Sequence, residues 1–160
     1  MKFFGLFLIY LISLPVTAVE GWVIGISDGD TVTILTKGNV EKKIRLGNID
    51  APEKGQPWGQ RAKQALSSKI YKKLIFVEEQ EIDRYGRLVG IIFFEGRNIN
   101  KELVKDGYAW VYPRYNRDPS LVNIQIMAEK SKLGLWSMPK NKIQAPWEYR
   151  RFIRTNPARY

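Results

Sequence analysis

Residues 21–27 (GWVIGIS) space large apolar side chains two apart, as a strand with one buried face requires. Asp28-Gly29-Asp30 has turn chemistry, Thr31–Thr36 (TVTILT) is rich in β-branched residues, and Lys37-Gly38-Asn39 offers a second turn before a third strand at 40–46 (VEKKIRL). The economical reading is a three-stranded antiparallel meander. A Pro- and Gly-containing loop spans 47–59. Within 58–71, Ala62, Ala65, Leu66 and Ile70 recur at helical spacing, predicting a helix that crosses the sheet. Two more strands follow, 74–78 (LIFVE) and 88–94 (LVGIIFF), joined by a charged connection that holds Asp83-Arg84-Tyr85-Gly86-Arg87. Asn98 is an N-cap for a helix over 99–106, which Gly107 stops. A longer helix starts at Asp118 or Ser120, runs to about residue 133 and ends at Gly134. Residues 138–160, with three prolines and four arginines, read as a basic tail packed through Trp147 or partly disordered. Five strands, one inserted helix and two further helices predict an α+β fold, a five-stranded barrel of the OB type with three helices.

The first 18 residues have a different pattern. Lys2, the apolar run at 3–16, and small residues at positions 16 and 18 match an export signal cleaved after Ala18. Fourteen helical residues reach ~21 Å, short of a ~30 Å hydrocarbon core, which disfavours a membrane anchor. The expectation is one exported domain over 19–137 with no stable membrane association after cleavage, monomeric because no oligomerisation signature appears.

Composition narrows the chemistry. Of 160 residues, 26 are Lys or Arg against 16 Asp or Glu, a formal net charge of +10 that favours a polyanionic partner. The chain has no His and no Cys, which excludes a Ser-His-Asp triad, a Cys nucleophile, a Cys/His zinc site and disulfides. Catalysis has to run on carboxylates, guanidinium groups, amines, hydroxyls or a hard metal ion.

Three clusters supply such groups: Asp28-Gly29-Asp30-Thr31, the run 44–53 (IRLGNIDAPE), and 83–87 (DRYGR). Each alone reads as a turn or cap. Together they provide carboxylate oxygens suited to Ca²⁺ or Mg²⁺, two guanidiniums, Arg45 and Arg87, able to hold a phosphate bidentately, and a spare carboxylate, Glu53, for use as a base. That inventory fits hydrolysis of a phosphodiester.

The ordered motifs DGDT, IRL..ID.PE, D.YGR, N..LV..G.A, GLW and PWE.R, from about residue 22 to 151, resemble the staphylococcal (micrococcal) nuclease-like family, in particular its short secreted bacterial members. The resemblance implies an OB barrel with three helices. It also implies Ca²⁺ bound by Asp30, Asp50 and the main-chain carbonyl of Ala51, with Glu53 as general base and Arg45 and Arg87 stabilising the phosphate. Stacking surfaces and basic groups for the substrate are expected at Arg84, Tyr85 and Tyr115. Such enzymes cut single-stranded DNA and RNA with little sequence preference, duplex DNA being a further substrate, and leave 3′-phosphate ends. A noncatalytic nucleic-acid-binding OB module is the rival reading. Asp30, Arg45, Asp50, Glu53 and Arg87 are all present, which favours the enzyme.

Overall fold

In the computed structural model, which describes residues 18–156, the meander is formed by β1 (Ala18–Ile26), β2 (Thr31–Thr36) and β3 (Glu41–Leu46). Both hairpins are antiparallel, with Val23 opposite Ile34 and Thr31 opposite Arg45. The strand alternates as expected but with the opposite face inward: Val23 is buried while Trp22 and Ile24 face outward. After β3 come β4 (Ile49–Asp50), α1 (Gly59–Ile70), β5 (Leu74–Ile82) and β6 (Leu88–Phe94). The order β3-β2-β1-β5-β6 closes on itself through a parallel β3–β6 pairing, so five strands make a barrel with no free edge between them. Helix α1 buries Ala62, Leu66 and Ile70, a one-face stripe, against a core that includes Val23, Val32, Ile34, Ile44, Leu46, Ile75, Val77 and Ile92.

The second half of the chain packs around this barrel. β7 (Arg97–Asn98) leads into α2 (Ile99–Lys105), where the Asn98 side chain accepts a hydrogen bond from the Lys101 N–H, the predicted cap. Gly107 ends the helix at φ 74°. β8 (Trp110–Val111) pairs antiparallel with β4, setting Asp50 opposite Trp110, and α3 (Ser120–Lys130) follows. The two-residue strands β4 and β7 carry no alternation of their own, whereas β8 lies within the strand-like run 108–112 (YAWVY).

The fold class is the expected one, a closed α+β barrel, with one correction. Two 3-10 turns, Gly134–Ser137 and Lys140–Lys142, lead to a fourth helix, α4 (Pro146–Thr155), where the sequence left open a basic tail either packed through Trp147 or partly disordered. Pro146 at the first helical turn has its φ set for a helix start. Tyr149 is buried, and Trp147 lies edge-on to Trp110 at 5.8 Å and stacked on Tyr112 at 5.4 Å. Apolar burial thus outweighs the charge of Arg150, Arg151 and Arg154 on the same helix. The predicted leader lies outside the described residues apart from Ala18, the first residue of β1. No helix among the described residues is long and apolar enough to cross a membrane.

Candidate active site

The turn between β1 and β2 brings the first carboxylates into place. Asp28 Oδ1 accepts the Asp30 N–H at 3.0 Å, closing an Asx turn. Gly29 sits at its tip between Ala51 and Ala62, where a Cβ would come within 2.7 Å of both side chains. Only glycine lets the turn lie so close to the β4 end and α1. Asp30 is buried: its Oδ2 accepts the Ala51 N–H at 2.6 Å and its Oδ1 the Thr31 hydroxyl at 3.2 Å.

From β3, Arg45 reaches back over the turn into β4. Its guanidinium donates to the carbonyls of Leu46 and Ile49 and to Asp50 Oδ1 at 2.8 Å, and approaches Asp30 Oδ2 at 3.3 Å. Those two carbonyl bonds fix the turn geometry as well as the arginine. From behind, the buried Asn100 of α2 donates to the carbonyls of Gly47 and Gly90 and accepts the Ile92 N–H, tying the same turn to β6.

Glu53 follows β4 on a loop held by Gln56, whose side chain accepts the Glu53 N–H and donates to the Gln144 carbonyl ahead of α4. At the start of α1, a Cβ on Gly59 would collide with the Glu53 carbonyl, so glycine is needed for this close approach. The Glu53 carboxylate receives Arg150 of α4 at 2.6 Å, and the same guanidinium reaches Asp50 Oδ1 at 3.2 Å and Oδ2 at 2.8 Å.

Asp30, Arg45, Asp50, Ala51 and Glu53 therefore form one hydrogen-bonded cluster at the end of the barrel. Arg87, just ahead of β6, is bonded to Asp83 rather than to the cluster. Its Nε–H and one outer nitrogen bond Asp83 Oδ2 at 2.8 Å, and the Arg87 N–H donates to Asp83 Oδ1. The Asp83 carboxyl is pushed up by burial but lowered more by the Arg87 and Tyr85 N–H groups and the Arg87 guanidinium, and ends below the usual carboxylate range. Arg84 lies over the exposed ring of Tyr85 at 4.8 Å and donates to its hydroxyl. Tyr115 is also exposed, at the far end of the Trp147–Tyr112–Tyr115 stack.

The electrostatics are those of a cation-binding donor set. Asp28, Asp30, Asp50 and Glu53 face Arg45 and Arg150, four carboxylates against two guanidiniums. Burial pushes the Asp30 carboxyl up to about 7; Arg45 opposes the rise, and the negative charges of Asp28 and Asp50 add to it. A divalent cation would relieve that surplus, and the buried Asp30 and Asp50 carboxylates are hard oxygen donors of the kind it prefers, although no three acidic side chains among the described residues converge as a ready-made metal cluster. These residues fit such an ion.

Sequence reasoning missed two members of this neighbourhood. Asn100 is the first letter of the N..LV..G.A motif, so its position was visible but its bonds to the Gly47 turn were not. Arg150 closes the PWE.R motif, yet 100 and 97 residues separate it from its partners Asp50 and Glu53. Local pattern carries no signal of such a pair.

Comparison with known proteins finds a family model and several relatives. The family model described as "Staphylococcal nuclease homologue" matches residues 43–138. The chain is 43% identical over 136 residues to an "Uncharacterized endonuclease" of Haemophilus influenzae, covering 85% of this chain and 75% of the relative. It is 37% identical to a "Micrococcal nuclease" of Shigella flexneri, covering 89% and 87% of the two chains. A similar match, 37% over 83% and 80%, is to "Protein ParB" of Escherichia coli.

Proposed function

The chain belongs to the staphylococcal nuclease family and is a phosphodiester-cleaving enzyme, and from that premise we propose that it is an exported, calcium-dependent nuclease acting on both DNA and RNA. Single strands are its preferred substrate, and the products carry 3′-phosphates. The observation that supports this reading most is the interlocking of Asp30, Arg45, Asp50 and Glu53 in one cluster beside the Ala51 main chain.

Calcium would be held by the Asp30 and Asp50 carboxylates and the Ala51 carbonyl, where it supplies positive charge to the scissile phosphate and its incoming water. Glu53 accepts one proton of that water as the water oxygen bonds to phosphorus. The bond from phosphorus to the 5′ oxygen breaks. The 5′ oxygen leaves with the bonding electron pair and takes its proton from solvent, and the phosphate stays on the 3′ side. Arg45 and Arg87 donate to the phosphate oxygens, whose charge grows as the water adds, so their contribution is largest in the transition state. Arg87 is pre-oriented for this. Asp83 takes one edge of its guanidinium, and the other outer nitrogen makes no bond among the described residues. Arg84, Tyr85 and Tyr115 offer the strand cationic and stacking contacts that work for any base.

The test is to digest heat-denatured DNA and RNA with protein lacking residues 1–18, in calcium and in excess chelator, and to determine the chemistry of the new ends. Cutting of both polymers in calcium alone, with 3′-phosphate products, supports the proposal. Equal activity in chelator, or 5′-phosphate ends, contradicts it.

A further inference from the structure

We propose that Arg150 is a positioning residue for the hydrolysis, fixing the Glu53 carboxylate from α4 so that the C-terminal helix forms one wall of the active site. The proposal rests on the reading of Glu53 as the proton acceptor and extends it to a residue 97 positions away.

Glu53 needs such a partner. Its side chain is about one-third exposed, on a loop, and its backbone tie to Gln56 does not restrain the carboxylate. Left alone, the carboxylate would sample several rotamers, and a misplaced base is a slow one. Among the described residues, Arg150 is the hydrogen-bond partner of that carboxylate.

Arg150 is itself held from a firm base. Trp147, one turn earlier, stacks on Tyr112 with the rings 3° from parallel, Tyr149 is buried, and the Arg150 guanidinium lies 5.9 Å over the Tyr112 ring. Gln56 ties the Glu53 loop to Gln144 just ahead of the same helix. The contact therefore runs from a packed helix to the active-site loop.

The chemistry of the contact also selects arginine. One outer nitrogen bridges Glu53 Oε1 and Asp50 Oδ1 while the other takes Asp50 Oδ2, a fork spanning two carboxylates. Lysine supplies the charge but not the planar fork. The pairing holds the arginine firmly protonated: burial lowers its pKa, but the bonds to Asp50 and Glu53 raise it more.

The bland alternative is a staple that merely keeps α4 attached, and a double-mutant cycle separates the two. Single-turnover cleavage of heat-denatured DNA in calcium would be measured for the full chain, Arg150→Ala, Arg150→Lys, Glu53→Gln and the Arg150→Ala/Glu53→Gln pair, with melting temperatures alongside. Arg151→Ala, an exposed neighbour on α4, is the control and is expected within twofold of wild type.

The expected result is a fall of about 10- to 100-fold in kcat for Arg150→Ala, the usual range for a residue that orients a catalytic ligand, with KM changed less than threefold. On the Glu53→Gln background the same substitution should cost under threefold, because the group it positions is already gone. Should Arg150→Ala melt below the assay temperature, Arg150→Lys carries the test, with a native melting temperature and at least a fivefold loss of kcat. Equal losses in both backgrounds, or a wild-type rate in Arg150→Lys, would overturn the proposal while leaving the nuclease reading intact. A wild-type chain that fails to cut in calcium would overturn both.

Discussion

Asp50 is 1% exposed and bonded to two guanidiniums, Arg45 and Arg150. Replacing it with Asn would leave both arginines short of a counter-charge. Breaking a buried pair from one side typically costs about 3–5 kcal/mol, so Asp50→Asn in chelator should lower urea stability by about 3 kcal/mol. A loss below about 1 kcal/mol would mean solvent compensates most of the pairing. Asn100 makes a parallel case with neutral groups. Asn100→Leu strands the Gly47 carbonyl and the Ile92 N–H in the interior, the Gly90 carbonyl keeping the Gly47 N–H, at an expected cost of about 2–4 kcal/mol, and should reduce cleavage because the Gly47 turn positions Arg45 and Asp50. At this scale the acidic and Arg candidates were legible, since a chain without His or Cys has few other groups to work with. What could not be read was the pairing. The partner of Arg87, Asp83, lies four residues away in the same motif, whereas Arg150 looked like one of several surface arginines.

Elements carry these residues, and their approach is limited by backbone. Gly29→Ala would drive a methyl group into Ala51 and Ala62, pushing the Asp28–Asp30 turn away from the Ala51 carbonyl. The expected outcome is a calcium-dependence curve shifted to higher concentration, with several-fold more calcium needed for half-maximal cleavage; an unchanged curve would show that the turn gives way elsewhere. Between α1 and α2, Lys69 bonds Glu102 at 2.8 Å and Asp106 at 2.9 Å. Burial raises the Glu102 carboxyl, but Lys69 and Arg97 lower it further, and Lys69 is raised by its carboxylates against the opposing effect of burial. The lowered acid stabilises the fold above its unfolded pKa of 4.5 and ceases to as pH falls through its folded value. The raised lysine stabilises below 10.5 and ceases to above it. Lys69→Met should therefore flatten the acid side of the stability curve, read by thermal melting between pH 3 and 6, while a slope equal to that of wild type would assign acid unfolding to other groups. Strand alternation and the α1 stripe revealed the barrel in the sequence. Helix α4 stayed hidden because its apolar positions, Trp147, Tyr149 and Ile153, are few and embedded among prolines and arginines. Its stability comes from Trp110 and Tyr112, distant in sequence.

Across the whole molecule, the excess of basic residues accounts for association with a polyanion and the carboxylate cluster for chemistry on it. Binding of single-stranded DNA in chelator should weaken with salt, with a logarithmic slope of about 0.7 per phosphate neutralised. A salt-independent affinity would show that stacking on Tyr85 and Tyr115 dominates. The +10 charge and the absence of His and Cys made that division legible before any fold was known, because they left few other chemistries open. The closed barrel explains how residues from β3, β4, their loops and α4 meet at one end of it. The most direct test of this account is the single-turnover rate at saturating denatured DNA in calcium for wild type, Arg45→Ala and Glu53→Gln. The account predicts a loss of about 10²- to 10³-fold for each, with substrate affinity in chelator changed little. Near-wild-type rates in either variant would place the chemistry elsewhere on the protein.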